Sequence, residues 1–162
     1  MSDDTDRLER LQLIRSANIG PVTYFQLIQR FGTARAALDA LPQLAARGGG
    51  KVPAIADLSS VEAEIKAVEK LGARYLFLGQ GLYPPLLAEI DTAPPALIVM
   101  GDVRWLDRPA IAIVGARNAS AAAVRFARGL AQDLVAEGIV VVSGLARGID
   151  TAAHQGALAG GT

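Results

Sequence analysis

Two short apolar runs, each ending in a glycine-bearing loop that carries an arginine, constrain the fold more than any other feature of this chain. Ala110 to Val114 leads into Gly115-Ala-Arg117-Asn118-Ala-Ser120. Ile139 to Val142 leads into Ser143-Gly144-Leu-Ala146-Arg147-Gly148-Ile-Asp150. Runs this apolar have the pattern of strands covered on both faces. Between them, from about Ala119 to Glu137, Ala123, Ala127, Leu130, Ala131 and Leu134 recur at helical spacing, and Gly138 stops the run. Strand, helix and strand in this order make a right-handed parallel unit. Both loops then leave the same carboxyl edge of a sheet, where anionic ligands are held in such folds.

The preceding chain reads as helices first and short strands second. Residues 5 to 17 form a helix with Thr5 as its cap and Leu8, Leu11 and Ile14 as its apolar stripe, Leu13 lying on the flank. Asn18-Ile-Gly20-Pro21 breaks it, with Gly20 free to take a positive φ and Pro21 suited to open the next helix. Tyr24, Phe25, Leu27, Ile28 and Phe31 line that second helix, which Gly32 ends. Thr33 caps a third helix through Ala40, with Ala37 and Leu38 facing in.

This layout resembles helix-hairpin-helix or SAM-like modules, in which hairpin amides hold a DNA phosphate. No Lys or Arg adjoins Gly20, which favours a packing role for the turn. Pro42 to Pro53 reads as the loosest region, and Arg47-Gly-Gly-Gly-Lys51 within it as a linker: it lacks the Gly-Lys-Ser/Thr ending of a phosphate-binding loop.

Asp57-Leu-Ser-Ser-Val-Glu62 has capping character, and a helix with Ile65, Val68 and Leu71 inside runs to Gly72. Strands follow at 74–78 and 96–100, with Leu86, Leu87 and Ile90 on a short docking helix between them. The expected class is α/β. A helical SAM-like or helix-hairpin-helix-like domain at 1–50 precedes an incomplete Rossmann-like parallel sheet with helices at 51–162.

The loop residues suit anion binding. Arg117 and Arg147 can each offer forked donors. Gly115, Ala116, Gly144 and Gly148 leave room for a ligand to approach the backbone. Asn118 and Ser120 can cap the helix or donate to an anion, and Ser143 puts a hydroxyl at a strand tip. Asp150 would repel a phosphate and reads as a brace that caps the last helix through the amides near Ala152 and Ala153. Arg147 alone is also compatible with solvation or an acidic partner. His154, one turn further, reads as a neutral histidine bonded to the loop. Residues 115, 117 and 120 are Gly, Arg and Ser, so the Gly-x-Gly-x-x-Gly dinucleotide fingerprint fails.

Composition narrows the chemistry. The 162 residues carry 16 basic and 16 acidic side chains, so any anion site is local. There is no cysteine and one histidine, which excludes disulfides, thiolate zinc and a cysteine nucleophile. No nucleophile, base and orienter can be assembled, so a catalytic role is not expected. The start, Met-Ser-Asp-Asp-Thr-Asp, has neither a basic nor an apolar run, and no stretch reaches the roughly 18 apolar residues of a spanning helix. A soluble cytoplasmic protein is expected.

Val114-Gly-Ala-Arg-Asn-Ala-Ser120, followed by Val142-Ser-Gly-Leu-Ala-Arg-Gly-Ile-Asp-Thr-Ala-Ala-His154, resembles the DNA-processing protein A family, also called Smf. Tyr83-Pro-Pro-Leu-Leu and Ala93-Pro-Pro-Ala-Leu97 match its lead-in, and the Ile-Gly-Pro helices match its SAM-like domain. The resemblance implies single-stranded DNA bound at the carboxyl edge of an extended Rossmann-like fold. It also implies protection of incoming DNA in natural transformation, loading of RecA recombinase, self-association, and no catalysis or nucleotide cofactor. Carried onto this chain, Gly115, Ala116 and Arg117 form one part of a phosphate pocket, and Ser143, Gly144, Ala146, Arg147 and Gly148 the other. The family's sheet continues beyond residue 162, so this chain corresponds to the N-terminal portion.

Two other readings remain. A nucleotide-processing enzyme related to cytokinin-activating phosphoribohydrolases would suit the first loop but needs a Pro-Gly-Gly-x-Gly-Thr motif that these residues do not contain. An interaction scaffold would use the N-terminal helices as its partner surface.

Overall fold

A computed structural model describes residues 3–47 and 53–162, so most of the glycine-rich linker lies outside the described residues. The chain divides into two compact units, 1–101 and 102–162.

The first unit holds α1 (Asp3–Arg15), α2 (Pro21–Phe31), α3 (Ala34–Arg47), α4 (Leu58–Lys70), β1 (Arg74–Phe77), α5 (Pro85–Ala88) and β2 (Ala96–Val99). Helix α1 serves two cores. Leu13 packs with Tyr24, Leu27, Ala34, Ala37, Leu38 and Leu41. Leu11 packs with Val61, Val68, Ala73, Tyr75 and Phe77. Arg15 forks onto Glu64, which also accepts the Tyr75 hydroxyl at 2.7 Å, tying α1, α4 and β1 together. Strands β1 and β2 pair antiparallel, Arg74 opposite Val99 and Phe77 opposite Ala96.

Several local expectations change. Helix α1 starts at Asp3, ahead of Thr5. Helix α3 does not stop at Ala40 but runs through Pro42 to Arg47. An interior proline costs about 3 kcal/mol, and here burial of Leu41, with Leu44 packed on the same core, carries the helix across it. The turn after α1 puts its positive φ on Asn18 (62°), while Gly20 is extended at φ −86°. Asparagine tolerates the left-handed region better than most residues. Ser16 and Ala17 bond the 54–56 segment, which packs the turn in place. Leu71 lies past the end of α4 and is 68% exposed rather than facing in. No residue of α5 is buried, so the expected docking of Leu86 and Ile90 is not seen.

The second unit contains a 3-10 turn (Val103–Asp107), β3 (Ala110–Ala112), α6 (Ala121–Ala136), β4 (Val140–Val142) and α7 (Ile149–Ala157). Strands β3 and β4 pair in parallel, Ala110 opposite Val140 and Ala112 opposite Val142. Ile113 and Val141 share a face by strand parity and pack with Ala131 of α6 and Ala153 and Ala157 of α7. Gly156 carries no side chain because a Cβ there would sit 2.3 Å from the Arg128 carbonyl oxygen, so α6 and α7 are in close backbone contact. The expectation of strands covered on both faces holds only in part: α6 and α7 pack against Ile113 and Val141, Val140 on the opposite face is also buried, and Ala110, Ile111, Ala112, Val114 and Val142 are exposed. Beyond α7 the Gly161 carbonyl accepts the Val141 amide at 3.2 Å, so the last residues run along β4. Among the described residues no helix is long and apolar enough to cross a membrane.

Candidate functional site

The loops after β3 and β4 leave the carboxyl ends of paired parallel strands and touch one another. The Ile149 amide donates to the Ala116 carbonyl at 3.3 Å. Gly148 sits at φ 82° and ψ −121°, a conformation open to glycine. A Cβ on it would lie 2.3 Å from the Ala116 oxygen and 2.6 Å from the Arg117 oxygen. Ser143 Oγ donates to the Ile113 carbonyl at 2.6 Å, which binds the second loop to the end of β3.

Several predicted ligand-facing groups therefore serve the fold. The room left by Gly115 is filled by Ile149, whose Cγ1 lies 2.7 Å from where a Cβ would stand. The proton of the Ser143 hydroxyl is spent on Ile113. Ser120 caps α6, its Oγ accepting the Ala123 amide at 3.2 Å. Asp150 braces the loop, but not as a helix cap. It is 6% exposed, and its Oδ2 reaches back to accept the amides of Gly144 at 3.0 Å and Ala146 at 3.4 Å. Those amides stand at the turn, two peptide units apart, whereas the forward amides near Ala152 and Ala153 lie inside α7, where the Ala152 amide already donates to Gly148.

Among the described residues His154 makes its hydrogen bond to Thr162 rather than to the loop. Thr162 Oγ1 donates to the Val141 carbonyl at 2.7 Å, so His154 Nδ1, 2.6 Å from that oxygen, is the donor. The histidine thus braces the junction of α7 with the segment beside β4.

The side chains left facing out are Arg117, Asn118 and Arg147, all exposed. Among the described residues neither arginine pairs with a carboxylate; the ion pairs fall elsewhere. Arg147 is thus solvated rather than matched to an acid. The nearest acid in sequence, Asp150, spends an oxygen on backbone amides. On α6, Arg125 is exposed and without an ion-pair partner among the described residues, while Arg128 donates to Gln155 of α7. Among the described residues no cluster of His, Asp or Glu could hold a metal ion.

One residue escaped the pattern. Leu145, between Gly144 and Ala146, has φ 56° and is 84% exposed. Its only sequence signal is a large apolar residue between two small ones in a polar loop.

Comparison with known proteins gives the same regions a lineage. The family model for the DprA-like N-terminal HHH domain matches residues 4–67. DNA processing protein DprA of Streptococcus pneumoniae is 44% identical over 79 residues, 49% of this chain and 28% of that protein. Protein Smf of Escherichia coli is 34% identical over 99 residues, 61% of this chain and 26% of that protein. The chain thus spans roughly a quarter of the curated relatives it matches. The X-ray structure of DNA processing protein A from Streptococcus pneumoniae superposes on 100% of this chain and 56% of its own, with TM-score 0.69 at 23% identity, a likeness of fold. The model for DNA recombination-mediator protein A matches residues 74–162, more than half of the sequence, and the chain belongs to that family.

Proposed function

We propose that the chain binds single-stranded DNA through the paired loops after β3 and β4, without catalysing a reaction on it. The observation that supports this most is the placement of Arg117 and Arg147. Both are exposed and, among the described residues, without acidic partners, on touching loops at one edge of a parallel pair. Two forked cations on a rigid edge suit successive phosphates of a strand, and the contact carries little sequence information. The ligand is held through side chains more than through a backbone cradle, since the Gly144 and Ala146 amides are committed to Asp150.

The wider role proposed is that of the family resemblance. It comprises protection of incoming DNA in transformation, loading of RecA recombinase, self-association of the whole protein, and action in the cytoplasm. The division into a helical module at 1–50 and a Rossmann-like part at 51–162 belongs to the same proposal. The family models change between residues 67 and 74, and the compact units meet at 101/102, so what these support is a two-module order rather than a boundary at 50/51.

The test is a fluorescence-anisotropy titration of a labelled oligonucleotide with the chain and with the double variant Arg117→Ala, Arg147→Ala. Loss of two charge-assisted contacts is expected to weaken binding about tenfold or more. The slope of log affinity against log salt should become shallower by roughly 1.4. Undiminished binding overturns the site. Release of free base from a nucleotide would favour the phosphoribohydrolase-like reading instead.

A further inference from the structure

The phosphate-binding reading leaves Leu145 without a role, yet the loop is built to present it. Its φ of 56° lies in a region that large side chains seldom enter. Glycine or asparagine would hold the same backbone with less strain. The residues on both sides are held from within. Gly144 and Ala146 donate their amides to Asp150, and Thr151 Oγ1 donates to the Ala146 carbonyl at 2.8 Å. With its flanks pinned, the leucine stands 84% exposed at the tip, two residues from Arg147. Strain of this kind persists where the surroundings over-determine it, and it concentrates at ligand clamps.

We infer that Leu145 is the base-contacting residue of this site: with phosphates at Arg117 and Arg147, its isobutyl group packs against an unstacked nucleobase. The inference rests on the single-stranded DNA reading above. An apolar contact to a base face is indifferent to sequence. It also needs a base that is not already stacked and paired, so it favours a single strand over a duplex, where extrusion of a base has its own cost.

The experiment compares a thymidine oligonucleotide, the same backbone made of abasic sites, and a duplex of equal length. Each is titrated with the chain, with Leu145→Asn and with Leu145→Gly. Both variants are expected to bind the thymidine strand about fivefold more weakly, with the salt slope unchanged. The abasic strand and the duplex should bind as before. Unfolding midpoints should be equal to or above that of the unsubstituted chain, because the strain is relieved. Equal losses on the thymidine and abasic strands, no loss on either, or a lowered midpoint in both variants would each overturn the inference. If Leu145 changes have no effect while the arginine double variant loses binding, the inference alone fails. If the unsubstituted chain binds no oligonucleotide, or the double variant binds undiminished, the reading beneath it fails as well.

Discussion

Gly148→Ala distinguishes a glycine kept for a ligand from one kept for the neighbouring loop. The added Cβ would stand 2.3 Å and 2.6 Å from the carbonyl oxygens of Ala116 and Arg117. Both are backbone atoms, so relief requires the two loops to part and strains the bond from Ile149 to Ala116. The backbone at φ 82° and ψ −121° adds its own penalty for a residue with a Cβ. Disfavoured backbone costs about 1–3 kcal/mol and overpacking about 1–3 kcal/mol, so a loss near 3–4 kcal/mol is expected. For a unit of this size each kcal/mol moves the melting temperature by roughly 4–8 °C. The single tryptophan, Trp105, lies in the same unit as the loops, so its emission during urea unfolding reports on that unit. Gly129→Ala is the control. Gly129 is inside α6, and a Cβ on it meets nothing within 4 Å, so helix propensity alone should raise stability by about 0.5–1 kcal/mol. A Gly148→Ala midpoint within about 0.5 kcal/mol of the unsubstituted chain, with only oligonucleotide binding altered, would refute the loop-packing account.

Asp150→Ala leaves the Gly144 and Ala146 amides without their acceptor and should cost about 2–4 kcal/mol by the same titration; an unchanged midpoint would show that the loop holds without it. The Arg15 fork, followed by the Tyr75 hydroxyl, holds the Glu64 carboxyl below its ordinary 4.5. The stability it contributes is present above that value and is lost as pH falls through the lower folded one, so Glu64→Gln should flatten the acid limb of melting temperature against pH. Burial first, and Glu64 second, raise the Tyr75 hydroxyl from 10 to about 12. That contribution is complete below pH 10 and disappears as pH rises towards about 12, so Tyr75→Phe should show a smaller alkaline loss; parallel curves would contradict the coupling.

The order of elements was legible because periodicity and punctuation agree along most of the chain. Asp57 caps α4 through the Ser60 amide, Gly32 closes α2 at φ 79°, and the strand–loop–helix succession after Ala110 needed only apolar runs and glycines. What escaped depends on partners far along the chain or on direction. Pro42 argues for a break, and only the packing of Leu41 and Leu44 on the first core shows why α3 continues. Asp150 stands where a cap would stand, and spacing cannot reveal that its carboxylate turns back to amides four and six residues earlier.

The glycines carry the same ambiguity at the site itself. A sequence shows where a Cβ is absent but not what fills the space. Here Ile149 fills it at Gly115, Asp150 at Gly144, and the backbone of Ala116 and Arg117 at Gly148. The strand tips are thus closed by protein, and the chemistry offered outward narrows to Arg117, Asn118 and Arg147, with Leu145 beside them. A site of that kind has a consequence that a backbone cradle would not share. Its affinity for phosphates should collapse when two side chains are neutralised, while the loop glycines, when substituted, should register first as lost stability.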